Sequence, residues 1–204
     1  MSEFDNKASQ WDQNQMHLDR TKAVAQAMLD RITLKRNMSA LEFGAGTGLL
    51  SFFLKDHFTG ITLMDTSAEM LKMAKEKLIY TDQEKIKTLF FDLEKADYMG
   101  EPFGIIYSQM ALHHIKGVHA ILEKFYRMLL PGGQIAIADL YSEDGTFHDP
   151  GADVHFGFDP DELTTQMNAC GFTNIAINEC FVIQKKSSAG MVRGYPVFLL
   201  TASK

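Results

Sequence analysis

At 204 residues the chain is long enough for one three-layer core and short for two folded units. Apolar residues make up 46% and charged residues 23%, ordinary proportions for a globular chain rather than a fibrous or disordered one. The formal net charge of −6 excludes attachment to nucleic-acid phosphates through a broad basic surface.

The opening residues 1–12 are polar and acidic and lack the apolar stretch of a signal peptide. Within 16–34, Val24, Ala27, Met28 and Ile32 recur at helical spacing and predict an amphipathic helix. The apolar run 38–43 ends in glycines and predicts a strand, followed by a helix over 48–58 and a strand over 61–64. Ser67 is placed to cap the next helix, with Met70 and Leu71 on its inner face. Strands are expected over 86–91 and 103–107. A helix over 118–130 should stop at Pro131-Gly132-Gly133, a breaker that leads into a strand over 134–138. Strands and helices alternate through this region, which predicts a parallel sheet covered on both faces with right-handed crossovers.

The tail changes character. A helix is expected over 159–170, capped by Asp159 with Pro160 in its first turn. Two strand-like runs, 174–184 and 195–202, flank a connection that suits a hairpin, so the sheet should end in an antiparallel pair. Cys170 and Cys180, the only cysteines, fall in a helix and a strand and read as small buried hydrophobes. No apolar run approaches a membrane span, and the chain is expected to be cytoplasmic, with neither a membrane nor a nucleic-acid partner.

The strongest chemical signal is Leu41-Glu-Phe-Gly-Ala-Gly-Thr-Gly-Leu-Leu-Ser51. Glycines at 44, 46 and 48 between a strand and a helix let the backbone turn sharply and let a ligand lie against it. The pyrophosphate fingerprint G-x-G-x-x-G needs glycine at 49, where Leu49 stands, so the loop suits a nucleoside rather than a dinucleotide. A tight turn with no ligand is the plainer alternative for such a loop taken alone. Asp65 ends the second strand, where ribose-binding carboxylates sit in doubly wound sheets, and a carboxylate there can accept from both hydroxyls of a vicinal diol. Asp92 ends the third strand, a position from which an exocyclic amine can be recognised.

In these residues the chain resembles the class I, Rossmann-like S-adenosylmethionine-dependent methyltransferases. Residues 41–48 resemble the family's first motif, 63–67 its ribose-binding segment and 91–93 its adenine-binding segment. Residues 107–115 resemble the segment at the fourth strand, and 130–135 the turn into the fifth. The resemblance implies a doubly wound, mostly parallel seven-stranded α/β sheet in the order 3-2-1-4-5-7-6, with the last strand antiparallel and helices on both faces. It implies one methyltransferase domain, with a lid and helix in 1–35, a cofactor-binding core in 36–140 and a substrate-side loop, helix and hairpin in 141–204. The cofactor would be S-adenosyl-L-methionine, leaving as S-adenosyl-L-homocysteine. Glu42 would stand near the methionine amino group, Gly44 and Gly46 along the methionine portion, and Asp65 at the ribose. Asp92 and Leu93 would meet the adenine and Gln109 would face the sulfonium. Trp11, Ala45, Gly48, Thr66 and Met70 complete the expected contacts, and residues 4–11 resemble a lid over the cofactor.

The acceptor should bind beyond the carboxyl ends of the strands, near Gln109, His113, His114, Asp139, Tyr141 and the loop 147–158. That loop carries His148, Asp149, Asp153 and His155 among Phe147, Phe156 and Phe158. It reads as a substrate pocket with a histidine base, as a metal site, or as a loop whose polar groups bond its own backbone. The general base is open, with His114, His148 and His155 as candidates, and no metal is expected. The leading expectation is methyl transfer to a heteroatom of a small molecule by in-line displacement. A non-catalytic module that binds the cofactor is the alternative. Leu49 argues against a nicotinamide enzyme. Ser108-Gln-Met-Ala stands where a nucleic-acid methyltransferase carries Asn/Asp-Pro-Pro-aromatic, and two cysteines are too few for an arsenite enzyme.

Overall fold

Strand periodicity sets the layers. In the computed structural model, which describes residues 4–79, 84–149, 151–186 and 191–204, alternate residues of the central strands enter opposite cores. In β1 (Ser39–Phe43), Ala40 packs into one core while Leu41 and Phe43 pack into the other. β4 (Phe103–Gln109) and β5 (Leu129–Leu140) behave alike: Ile105, Tyr107, Ala136 and Ala138 face one side, Ile106, Ile135 and Ile137 the other. A strand dry on both faces belongs inside a sheet covered on both faces.

The first face is covered by α1 (Gln15–Leu29), α2 (Leu49–Leu54) and α3 (Ala68–Leu78), through Val24, Met28, Leu50, Leu54, Leu71 and Leu78. The second is covered by α4 (Val118–Met128) and α5 (Pro160–Ala169), through Leu122, Phe125, Leu163 and Met167. With β2 (Gly60–Asp65), β3 (Ile86–Phe90), β6 (Thr173–Lys186) and β7 (Val192–Ser203), the sheet order is β3-β2-β1-β4-β5-β7-β6. β7 runs antiparallel to β5 and to β6, and the other pairs are parallel. Fold class and strand order are those expected from the sequence. The order reverses between β1 and β4, which opens a crevice at the carboxyl ends of those strands. The expected caps form: Ser67 Oγ accepts from the Met70 N–H, and Asp159 accepts from the N–H groups of Asp161 and Glu162.

Three boundaries differ from expectation. α1 ends at Leu29 rather than 34, where the N–H groups of Arg31 and Ile32 both turn onto the Met28 carbonyl. Ile32 is still buried, which is why the apolar spacing outlasts the helix. Pro131-Gly132-Gly133 does not break the chain between elements but lies inside β5. Phe103 pairs with Leu129 and Ile105 with Gln134, so β5 bulges by several residues there and leaves proline outside the ladder. The closing strands reach further than expected, to Lys186 and from Val192. Among the described residues, no helix is long and apolar enough to cross a membrane.

Candidate functional site

Beyond the ends of β1, β2 and β4 lies a cleft of about 820 Å³. The glycine loop forms one wall. Gly44 and Gly46 take φ of 64° and 55°, and a Cβ on Gly44 would overlap Ala111 Cβ. A Cβ on Gly46 would meet only Met70 Sδ, at 3.8 Å, and would otherwise fill open cleft space. Asp65 ties this loop to the next: Oδ2 accepts from the Gly46 N–H at 2.7 Å and Oδ1 from the Ser67 N–H at 2.7 Å. Burial raises the Asp65 carboxyl, and those N–H groups with that of Thr66 oppose the rise. The carboxylate borders the cleft and keeps accepting capacity for a ligand hydroxyl. Gly48 behaves differently from its expected role: it does not line the cleft but caps α2 at φ 75°, above Leu63.

Glu42 sits beneath the loop. Its Oε2 accepts from the Ser51 N–H at 3.2 Å and from Ser51 Oγ, which lies 2.7 Å from the Tyr107 hydroxyl. Burial pushes the Glu42 carboxyl up to about 8, so it is neutral at pH 7. Its folded value lies above the unfolded one. The stability it contributes is therefore full below about pH 4.3 and is lost as pH rises through about 8. Glu42→Gln, an uncharged isostere, is expected to leave urea stability unchanged near pH 5. Near pH 9 it should add about 1–2 kcal/mol, and equal curves at both pH values would refute the assignment.

Asp92 is the shallower carboxylate. Oδ1 accepts from the Glu94 N–H at 3.0 Å and Oδ2 pairs with Lys95 at 2.7 Å, whose ammonium holds the carboxyl below its ordinary range. Leu93 beside it is buried. Asp92, Leu93, Thr66, Met70, Ala45, Trp11 and Gln109 all border the cleft. Donors, carboxylates and apolar walls therefore fit a nucleoside with an amino-acid arm. The Gly46 wall is the point where a side chain would occupy the ligand's space.

Residues 4–13 lie across the opening. A 3₁₀ turn (Ala8–Gln13) presents Asp12, whose Oδ1 accepts from Thr47 Oγ1 and whose Oδ2 pairs with Lys77, both at 2.6 Å. Ser67 Oγ donates to Asp5 Oδ1 at 2.6 Å. Trp11 packs on His17 and Phe4 on His114, with ring centroids 4.3 and 5.1 Å apart. Asp12 therefore holds the strap to both the glycine loop and α3. Asp12→Ala is expected to weaken S-adenosylhomocysteine binding about tenfold by adding the cost of ordering the strap. Fluorescence of Trp11, the single tryptophan, would read it; an unchanged affinity would show that the strap does not close on the ligand.

On the acceptor side the geometry departs from the sequence-based choice of histidines. His155 does not line the cleft; its Nε2 lies 2.8 Å from the Ile115 carbonyl and its N–H donates to the His113 carbonyl at 2.8 Å. It is committed to holding the loop. His114 and His148 border the cleft and pack on His113, with centroids 4.2 and 4.9 Å from its ring. His113 is engaged by a buried carboxylate. Its Nδ1 lies 2.6 Å from Asp139 Oδ1, while its own N–H and that of Leu140 donate to the same carboxylate. His113 is 1% exposed and Asp139 0%. Burial pushes the Asp139 carboxyl up, but the His113 charge and these hydrogen bonds outweigh it and hold it below the usual range. Asp139 thus fixes the His113 ring, which borders the cleft, through Nδ1. Asp153 pairs with Lys116 at 2.5 Å, and among the described residues no three His, Cys, Asp or Glu side chains come together to hold a metal.

Two groups went unread in the sequence. One is the His113–Asp139 pairing. The other is Arg20, which lies 4% exposed on the cleft-facing side of α1. Arg20 stands four residues before Val24 and eight before Met28, a charge on the apolar stripe, which is a legible sign of a functional site. Gln109 is turned toward α1, donating from Nε2 to Thr21 Oγ1 at 2.9 Å.

Comparison with known proteins accords with this architecture. Residues 41–137 match a family described as a methyltransferase domain. The chain is 29% identical over 159 residues to an uncharacterized methyltransferase of Schizosaccharomyces pombe, covering 70% of this chain and 56% of that one. It is 28% identical over 137 residues to a malonyl-acyl-carrier protein O-methyltransferase of Salmonella typhimurium, covering 67% and 51%. The chain thus spans about half the length of the curated relatives it matches. Its fold matches the methyltransferase solved in complex with the Haloferax volcanii Trm112 activator, with TM-score 0.79, 20% identity and coverage of 98% and 95%. Residues 41–137 are thus similar to a methyltransferase domain in sequence, and the fold around them is that of a solved methyltransferase.

Proposed function

We propose that the chain methylates an oxygen or nitrogen of a small molecule, with His113 taking the acceptor's proton. The observation that carries this reading is the buried Asp139–His113 pair, which opens on the same cleft as the glycine loop and Asp65. When bound, S-adenosylmethionine supplies an electrophilic methyl group on a sulfonium whose sulfur departs as a thioether. Gly44, Gly46, Asp65, Asp92 and Leu93 hold the donor, and the strap over residues 4–13 excludes water. His113 Nε2 accepts the proton of a hydroxyl or ammonium as its lone pair becomes the nucleophile, and ionised Asp139 stabilises the imidazolium that forms. A base is needed only for an acceptor that begins protonated, which is why the pair favours oxygen or nitrogen over a thioether.

The cleft size supports a compact acceptor, since 820 Å³ must hold both ligands. A relative named as an O-methyltransferase is consistent with oxygen. The test is calorimetric titration with S-adenosylmethionine and S-adenosylhomocysteine, with NAD as control. A radiolabelled-methyl screen of small alcohols, phenols, amines and acids follows. Micromolar binding of both sulfur nucleosides and label transfer to one acceptor class are expected. No binding by folded protein would overturn the reading.

A further inference from the structure

We infer that the acceptor is a phenol, its ring packed among Phe147, His148 and His113 in the half of the cleft away from the glycine loop. This rests on the methyl-transfer reading and names the class of its substrate. Strand order separates the two halves. The glycine loop follows β1, Asp65 ends β2 and Asp92 follows β3, whereas His113 and His114 follow β4, and Phe147 and His148 follow β5. Asp65 stands three strand spacings from β5. A nucleoside on the loops of β1, β2 and β3 leaves the loops of β4 and β5 for its reaction partner.

Rings line that second half without a break. The centroids of His114 and His148 lie 4.2 and 4.9 Å from that of His113, and 5.6 Å from each other. Phe147 meets His148 edge-on at 4.9 Å, Phe4 of the strap meets His114 edge-on at 5.1 Å, and all five rings border the cleft. Phe147 is fixed from behind: its N–H donates to Glu143 Oε2 at 3.1 Å, and its ring packs against Tyr195 of β7 at 5.2 Å. A rigid wall of ring faces and edges favours a flat π system over a saturated ring of similar size.

Two further observations select a phenol among aromatic acceptors. The base beside this wall is an imidazole, paired with Asp139 at 2.6 Å. An imidazole takes the proton of a phenol, which leaves near pH ~10, far more readily than that of an aliphatic alcohol. An aromatic ammonium is disfavoured by the wall itself. Lys185 Nζ already stands 5.4 Å over the Phe147 ring and donates to the Phe147 carbonyl, so the cation–π position there is taken. Three of the five rings are imidazoles, which repel a cation once protonated. The phenol oxygen bonds to the methyl carbon as its proton passes to His113. The carbon–sulfur electron pair leaves on sulfur, giving an aryl methyl ether and S-adenosylhomocysteine.

Protein saturated with S-adenosylhomocysteine, which fills the donor half, would be titrated calorimetrically with phenol, cyclohexanol and benzylamine. Phenol is expected to bind at least about tenfold more tightly than cyclohexanol, its saturated counterpart. Phe147→Leu and His148→Leu should each cut that ratio to about threefold or less and keep the S-adenosylhomocysteine affinity within about twofold. A side chain with a merely structural role would weaken phenol and cyclohexanol together and leave the ratio intact. Either variant serves if the other does not fold. Equal binding of phenol and cyclohexanol, or a ratio that survives in both variants, overturns the inference. Benzylamine binding more tightly than phenol overturns the choice of a phenol over an amine. Failure to bind S-adenosylhomocysteine is a different result, and it removes the methyltransferase reading itself.

Discussion

His113→Ala is expected to lower kcat by about 10²–10⁴ while leaving S-adenosylhomocysteine affinity within about twofold, because the imidazole handles the acceptor's proton and not the donor. Asp139→Asn should act through the same ring. An amide in place of the carboxylate cannot stabilise the imidazolium, and it frees the ring to take the other tautomer, so a loss of similar size follows. The two substitutions together should cost little more than either alone. Asp139 also makes a signed pH prediction. Its folded carboxyl is held below the ordinary range. Its contribution is therefore present above the unfolded value of about 3.9 and lost as pH falls through the folded one. Asp139→Asn should lower stability at neutral pH, by about 3 kcal/mol for a broken buried pair, and flatten the acid limb of the stability curve. Single-turnover kinetics and urea unfolding at neutral and acid pH check both claims. Undiminished kcat in His113→Ala would eliminate His113 as the base.

Asp65→Ala is expected to weaken S-adenosylmethionine and S-adenosylhomocysteine about 100-fold or more. The carboxylate has two duties here. It fastens the Gly46 and Ser67 N–H groups, and so sets the spacing between the loops after β1 and β2. It also borders the cleft, where on the proposed reading it accepts from the ribose hydroxyls. The alanine variant loses charge-assisted bonds of about 1.5–3 kcal/mol each and leaves the loop free to drift. Asp65→Asn retains a single acceptor oxygen and should fall between, near tenfold. Calorimetry on variants with native far-ultraviolet spectra would measure both. An affinity within threefold of wild type for Asp65→Ala would show that the ribose is held elsewhere.

The glycine loop, Asp65 and the α/β alternation were legible in the sequence because each depends on neighbours close in the chain. A strand that ends in glycines has few ways to enter a helix, and an acidic residue at the next strand end has one crevice to face. Ser67 and Asp159 announced their helices for the same local reason. Gly48 shows the limit: its spacing suggested ligand contact, but packing over Leu63 assigns it to capping α2.

The choice among histidines was not legible. His113, His114, His148 and His155 are equivalent as letters, and their roles separate only when β4 pairs with β5. That register sets Gln109 beside Ala138. It brings the Asp139 carboxylate, 26 positions along the chain, onto His113 Nδ1. The same folding turns His155 onto the Ile115 carbonyl and away from the cleft. Arg20 was visible as a charge on an apolar stripe, yet its place in the cleft wall required α1 to pack over the end of β4 and bury it. The sequence by itself determined the sheet, the glycine turn that borders the cleft and the carboxylate beside it, since short-range backbone geometry dictates them. Tertiary structure alone decided which histidine meets Asp139 and where the cation of α1 is buried, because both follow from burial and pairing between residues distant in the chain.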